Sequence, residues 1–213
     1  VSGLWDERAE LYRTSSVHSG GRDLELFVEW AKGSRTALDV ATGGGHVARR
    51  LREAGLEVVS ADPAAGMEPD VICPAEALAF PDNSFDLVAC RRAAHHFSDV
   101  SAAVFEMARV SRGLVLLQDA LWVSDQIEEA ERLRDPSHVR HLPEAEWREI
   151  FARHGLQVDE VDYCDEHLDF DSWFARTGCE GETAERVRAL LSERSDGDGW
   201  TYPYAVFKTS HLG

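Results

Sequence analysis

Lysine is nearly absent from this 213-residue chain. Of its 22 basic residues only Lys32 and Lys208 are lysines and the rest are arginines, a skew that fits coding composition better than function. Positive charge is scarce altogether: 39 acidic residues leave a formal net charge of −17. That disfavours a general nucleic-acid binder, which needs a basic face to neutralise phosphates, and the acidity is read as serving solubility. The four cysteines (Cys73, Cys90, Cys164, Cys179) are far apart and form no C-x-x-C pair. A disulfide framework and a cysteine metal site are both unexpected, so these are read as free thiols. No apolar run approaches the roughly 18 residues of a membrane span, and the first residues carry no signal-peptide pattern. The expectation is therefore a cytoplasmic protein that engages neither membrane nor nucleic acid. Internal repeats, low-complexity tracts and long linkers are also missing, which points to one domain over 1–213. A hydrophobic content of 44% and a charged content of 29% suit a soluble domain with one sizeable core.

What the chain does have is residues 37–48, ALDVATGGGHVA. Ala37-Leu38-Asp39-Val40 reads as a buried strand and Thr42 to Gly45 as a tight loop. From Val47 onward a helix follows, with Val47, Ala48, Leu51 and Ala54 at helical spacing. Glycines let the backbone approach a ligand closely, and a helix start offers free N–H groups, so the combination makes a nucleotide-sized binding site.

Around it, strands and helices alternate. Residues 4–32 read as helical with a break at Ser19-Gly20-Gly21, and 48–54 as a helix stopped by Gly55. Strands are expected at 56–61, 71–73, 85–90, 113–119 and 202–208, extended segments at 156–161 and 163–170, and helices at 100–110, 126–133, 144–153 and 183–193. Only residues 63–69 separate the second and third strands. A parallel crossover normally takes a dozen residues and a helix, so this connection is expected to lack its helix and to lead to a short edge strand. Apolar strands alternating with helices predict an α/β fold with a mostly parallel sheet.

Gly43-x-Gly45-x-x-Ala48 also fits a loose dinucleotide fingerprint, with Asp62 nineteen residues after Gly43 at the end of the next strand. Asp39 argues against it. A pyrophosphate at this loop would be repelled by a neighbouring carboxylate, whereas a ligand with a cationic end would be attracted. S-adenosylmethionine is such a ligand, with an α-ammonium and a sulfonium and no phosphate; Asp62 would accept from its ribose hydroxyls. The bland alternatives are a strand-end acid capping local N–H groups for Asp39 and a turn residue for Asp62.

The ordered set ALDVATGGGHVA, VVSADP, AEALAFPDNSFDLVACRRAAHHF, FEMARVSR, RDPSHVRHLPEAEWREIFARHGL and WTYPYAVF resembles the class I S-adenosylmethionine-dependent methyltransferases, small-molecule (type 11, quinone-biosynthesis-like) branch. The resemblance implies a Rossmann-like, seven-stranded, mostly parallel sheet with an antiparallel edge pair and helices on both faces. It implies methyl transfer to a small-molecule acceptor, with 1–32 as a helical lid and 120–150 as an acceptor-side insertion. By position it puts Asp39, Ala41, Gly43, Gly44 and Gly45 at the methionine end of the cofactor and Asp62 at the ribose. Ala75 and Glu76 fall near the adenine, Arg91 follows the fourth strand, and Tyr12 and His18 belong to the lid. Two departures stand out: the helix between strands two and three is missing, and Pro74 replaces an acid that often receives the adenine amino group. Proline offers neither a side-chain acceptor nor an N–H.

His95, of the pair His95-His96, is the candidate general base, since a histidine has a pKa suited to taking an acceptor's proton. A structural bond for His95 and a packing role for His96 is the competing reading. His138 and His141 lack an apparent third ligand, so no metal is expected. Trp122, Trp147, Trp173 and Phe174 are read as core or as pocket wall, and Tyr202-Pro203-Tyr204 as strand. Two other functions stay open: a non-catalytic or repurposed methyltransferase fold with an altered adenine pocket, and an NAD(P)-dependent oxidoreductase.

Overall fold

The computed structural model describes residues 2–14 and 19–212. His18 lies outside the described residues. Among the described residues the first helices are α1 (Ser2–Arg13) and α2 (Arg22–Trp30). Then follow β1 (Thr36–Val40), α3 (His46–Glu53), β2 (Glu57–Asp62), β3 (Val71–Ile72), β4 (Phe85–Arg91), α4 (Val100–Val110) and β5 (Ser111–Ala120). The chain ends with α5 (Asp125–Arg134), α6 (Glu144–Arg153), β6 (Leu156–Asp169), α7 (Phe170–Ala175), α8 (Gly181–Leu190) and β7 (Gly199–His211). Seven strands lie in the order β3-β2-β1-β4-β5-β7-β6. All neighbours are parallel except β7, which runs antiparallel to both β5 and β6. Among the described residues no helix is long and apolar enough to cross a membrane.

The central strands are apolar on both sides because both faces are covered. On one face Leu38, Val40, Val88, Cys90, Val115 and Leu117 pack under Val104 and Met107 of α4 and Trp147 and Phe151 of α6. On the other, Ala37, Leu87, Ala89 and Leu116 meet Leu24 and Phe27 of α2 and Val47 and Leu51 of α3. Side chains alternate along a strand, so Asp39, two residues after Ala37, points to the α3 face. That puts a carboxylate at the top of an otherwise apolar strand.

The short connection behaves largely as its length predicts. Residues 63–69 hold only a single 3-10 turn, Ala65–Met67, and β3 is two residues at the sheet edge with Ile72 exposed. The C-terminal third departs from expectation. The two extended segments are one strand, β6, whose register with β7 shifts between Val158 and Glu160. A bulge resets the alternation there, inside the first segment, and the ladder then runs without a break through Asp162, which pairs with Val206 at the division between the two segments. The β6–β7 ladder runs on to Asp169 and Gly199, whereas β5 stops against β7 at Ala120 and Tyr204. The overhanging hairpin carries a separate apolar cluster in which Leu168, Phe170, Trp173, Phe174 and Trp200 meet Ile127 of α5 and Val187 of α8. This cluster walls the carboxyl end of the sheet beyond β4 and β5. In open α/β sheets ligands bind at that end.

Candidate active site

The glycine loop is held by two strand-end acids. Asp39 is buried, and its Oδ2 accepts from Thr42 Oγ1 (2.6 Å) and from Ala48 N (3.0 Å) in the first turn of α3. Gly45, the N-cap of α3, has no side chain to serve that N–H, so Asp39 supplies the acceptor from β1. Burial, only partly offset by these bonds, pushes the Asp39 carboxyl up to about 6. Asp62 receives the Gly43 N–H on Oδ2 (3.0 Å) and the Ala64 N–H on Oδ1 (2.9 Å). Burial raises its pKa too, and Asp6 adds to the rise. Both acids therefore do the local capping of the bland reading, and both also line a cavity of about 320 Å³.

The same cavity is lined by Tyr12, Ala41, Gly43, Gly44, Ala75, Glu76 and Arg91, so most of the expected cofactor set converges on one space. Gly45 does not line it. Ala41 sits at φ 53°, a conformation costly for a residue with a Cβ, at the point where the chain turns from β1 into the loop. Gly44 is required for a reason that does not involve a ligand: a Cβ there would stand 2.6 Å from the Tyr12 carbonyl oxygen. The end of α1 lies against the loop, and His46 Nε2 donates to that carbonyl (2.9 Å) while Nδ1 accepts from Arg49 (2.9 Å). Arg13 donates to Gly66 O (2.7 Å) and Gly66 N to Asp6 (2.6 Å). At its other side α1 sends Arg8 to Asp135, with two contacts of 3.1 Å. The helix thus straps the glycine loop to the segment after α5.

Two expected cofactor residues are engaged with the protein. The Arg91 guanidinium forks onto Asp23 of α2, Nε to Oδ2 at 2.6 Å and Nη2 to Oδ1 at 3.0 Å, a buried pair that anchors α2 to β4. Glu76 Oε1 accepts from Ser98 N (3.0 Å) and Ser98 Oγ (2.9 Å). Around it Pro63, Met67, Pro74, Ala75 and Phe97 make this end of the cavity an apolar slot.

A second cavity, of about 60 Å³, shares Tyr12, Arg92 and His96 with the first and lies beyond the ends of β4 and β5. His95 faces it. Asp119, at the end of β5, grips His95 twice: His95 N donates to Oδ2 (2.8 Å) and Nδ1 to Oδ1 (2.6 Å). With Nδ1 carrying the hydrogen, Nε2 keeps its lone pair and can accept a proton. Burial opposes protonation of His95, but the Asp119 carboxylate outweighs it and raises the imidazole pKa above 6.5. Burial likewise opposes ionisation of Asp119, and the imidazole outweighs that, holding Asp119 at about 2. His96 does not pack beneath the sheet. It stands in the wall between the cavities with Nδ1 donating to Ser137 O (3.1 Å) and its ring edge-on to Trp5. Burial and the neighbouring His95 drive its pKa well below the usual value.

His138 and His141 have a third partner after all, in Glu128 of α5. His141 Nδ1 donates to Oε1 (2.8 Å) and His138 Nε2 to Oε2 (3.1 Å), with all three side chains buried. His95, Asp119 and His141, like Glu128, His138 and His141, have ligand-type atoms within 4.8 Å of one another. Of the aromatic candidates, Trp147 and Phe174 are core, Trp122 is exposed, and Trp173 walls the smaller cavity with Tyr202.

A sequence profile of methyltransferase domains matches residues 38–116, from β1 to β5. YcgJ of Bacillus subtilis, an uncharacterized methyltransferase, is 33% identical over 216 residues, covering 90% of this chain and 85% of its own. This chain belongs to the methyltransferase family. The YcgJ crystal structure superposes with a TM-score of 0.79 over 90% of this chain and 98% of that one, at 28% identity. The uncharacterized methyltransferase Rv3342 of Mycobacterium tuberculosis is 31% identical over 202 residues, 81% of each chain. A geranyl diphosphate methyltransferase solved with geranyl diphosphate and sinefungin shares the fold at 13% identity (TM-score 0.65; 89% of this chain, 76% of that one).

In this methyltransferase the residues that sequence reading passed over are His46, Asp119, Glu128, Arg134 and Arg176. Asp119 carried a readable signal, an acid closing an apolar strand, as Asp39 and Asp62 do. His46 follows three glycines and could have been read as a loop anchor. Glu128 stands ten and thirteen residues from its histidines, a separation with no local pattern.

Proposed function

We propose that the protein transfers the methyl group of S-adenosylmethionine to a small-molecule acceptor. The observation that carries this is the buried Asp39 carboxylate on the wall of the larger cavity, beside a glycine loop whose backbone is already positioned by Asp62. At about 6, the Asp39 carboxyl titrates close to neutrality, and a cationic group in the cavity would hold it ionised. The residues present fit the cofactor: Asp39 and the Ala41–Gly44 turn for its ammonium and carboxylate end, Asp62 for the ribose. The slot of Pro63, Met67, Pro74 and Phe97 takes the adenine by packing rather than by an acidic acceptor. The cavity volume falls in the range of small-molecule sites, about 300–1,000 Å³.

When bound, S-adenosylmethionine supplies an electrophilic methyl whose bond to sulfur breaks with both electrons remaining on sulfur. The chain's part is alignment and proton removal. Helix α1, with Tyr12 over the shared wall, serves as the lid that excludes water and fixes the acceptor in line. Residues 120–150 bring Glu131, Arg134 and His141 to the acceptor cavity. His95 Nε2 takes the proton of a hydroxyl or an acidic carbon, and Asp119 stabilises the imidazolium that results. Incubating the protein with methyl-labelled cofactor and a small-molecule extract tests the reading. Label in a new small molecule, absent with His95→Ala, is expected; label that stays on the cofactor over many enzyme equivalents of extract refutes it.

A further inference from the structure

The smaller cavity is lined by three guanidiniums, and their partners can be counted one by one. Arg92 is bound to Glu166, at 3.1 and 2.8 Å, and reaches Asp23 at 3.3 Å. Arg134 pairs with Glu131 at 3.2 Å, stacks 4.4 Å over Trp173 and lies 3.9 Å from Asp135. Asp135 is itself taken by Arg8 and by Ser137, whose Oγ donates at 2.6 Å. Asp119 is held by His95. Arg176, the C-cap of α7, donates its backbone N–H to Phe174 O, but its guanidinium has no hydrogen bond or ion pair to any described residue, although the residue is only partly exposed and faces this cavity. A second orphan lies beside it: Arg92 Nε is buried without an acceptor. The nearby carboxylates Glu166, Glu131, Asp135 and Asp119 each hold another partner, which leaves the Arg176 guanidinium without one. Charges kept out of water are normally paired. Burial and the neighbouring Arg134 depress the Arg176 pKa, although Tyr12 and Tyr202 pull it back up.

We infer that the acceptor is a small organic acid, whose carboxylate or phosphate is held by Arg176 in the smaller cavity. This rests on the methyl-transfer reading and narrows its substrate class. The geometry supports it in two ways. A cavity of about 60 Å³ accommodates an anionic head group and little else. Its shared wall with the larger cavity, at Tyr12, Arg92 and His96, places the remainder of the acceptor between His95 and the cofactor space. Planar guanidinium is the group best suited to carboxylate or phosphate recognition. A buried polar site of this kind also rejects uncharged isosteres, because its own groups would be left unpaired.

The test is titration calorimetry in chloride-free buffer with acetate, benzoate and inorganic phosphate, and with acetamide and benzamide as uncharged controls. Each is run on the protein alone and on the protein saturated with S-adenosylhomocysteine. The acids are expected to bind and the amides not to. Stronger binding of the carboxylates or of phosphate identifies which anion the site takes. Arg176→Gln should weaken acid binding by about tenfold or more, the worth of one charged hydrogen bond, with S-adenosylhomocysteine affinity unchanged. Arg176→Met is the second variant, and Arg186→Gln, an exposed arginine on α8 paired with Glu129, should bind as the wild type does. Equal binding of acids and amides, no binding of either, or acid binding untouched in Arg176→Gln overturns the inference. Absence of S-adenosylhomocysteine binding would instead sink the methyl-transfer reading, while the anion arm on the protein alone still reports on Arg176.

Discussion

Replacing Asp39 by asparagine should stabilise the protein and disable it in the same stroke. In the ligand-free protein the carboxyl is pushed from its ordinary 3.8 to about 6 by burial. A folded pKa above the unfolded one means that the folded state holds its proton longer, so stability falls as pH rises between the two values and is level above them. At 1.36 kcal/mol per pH unit, a gap of about two units costs about 3 kcal/mol at pH 7, as an upper bound. Asparagine carries no such cost, and its oxygen can still accept from Thr42 Oγ1 and Ala48 N. At about 2–4 °C per kcal/mol for a chain of this size, Asp39→Asn should melt roughly 6–12 °C higher at pH 7, with the gain shrinking toward nothing near pH 4. The same change removes the counter-charge for the cofactor's ammonium, about 1.5–3 kcal/mol, so S-adenosylhomocysteine binding should weaken about 10- to 100-fold. Wild-type affinity should itself decline as pH falls below about 6, because only the ionised carboxylate attracts a cation. Melting curves from pH 4 to 8 and calorimetry on both proteins decide it. A variant less stable at pH 7, a gain that does not change with pH, or an unaltered cofactor affinity would refute the reasoning.

Four further outcomes are expected. His95→Ala should cut turnover about 10²- to 10⁴-fold with S-adenosylhomocysteine affinity unchanged, as loss of a general base does; an unchanged turnover number rejects the assignment. Since Asp119 raises the His95 pKa and the base acts only when neutral, turnover should climb with pH along a limb centred above 6.5 and then level. A limb at or below 6.5 would mean that another group titrates. Gly44→Ala would bring a Cβ to 2.6 Å from the Tyr12 carbonyl oxygen, so α1 must shift; protease cleavage within α1 should accelerate and cofactor affinity should fall, and intact α1 protection contradicts the strap. Glu128→Leu leaves two buried imidazoles without their acceptor and should cost about 1–3 kcal/mol for each group left unsatisfied, seen as a lower midpoint in urea; an unshifted midpoint removes Glu128 from the account.

The half of the molecule around the glycine loop is legible because its signals are local. An apolar run ending in Asp39, three glycines and a helix start lie within twelve residues, and the shortness of 63–69 dictated the reduced connection and the two-residue β3 at the edge. The half around the smaller cavity is not, because its elements are set by tertiary context. One fourteen-residue strand reads as two because Asp162, a poor strand former, stands at the division, although the ladder pairs it with Val206. The short α7 is hard to read because its six residues give almost no periodicity, although Asp169 caps it on Ser172 N and Phe170, Trp173 and Phe174 pack it on the overhanging hairpin. Side-chain commitments were the least readable layer. Arg91 lines the larger cavity, while its guanidinium is taken by Asp23, sixty-eight residues away, a pairing with no local signal. His95 was expected as a base, but the carboxylate that orients it comes from the end of β5, twenty-four residues on.

Titration calorimetry of the purified protein with S-adenosylmethionine and S-adenosylhomocysteine, with NADH as the control dinucleotide, tests most directly whether the Asp39 cavity binds the cofactor. One site per chain is expected for both adenosyl ligands, none for NADH, and marked weakening of both in Asp39→Asn. No heat from either adenosyl ligand up to millimolar concentration, or binding of NADH in their place, would contradict it.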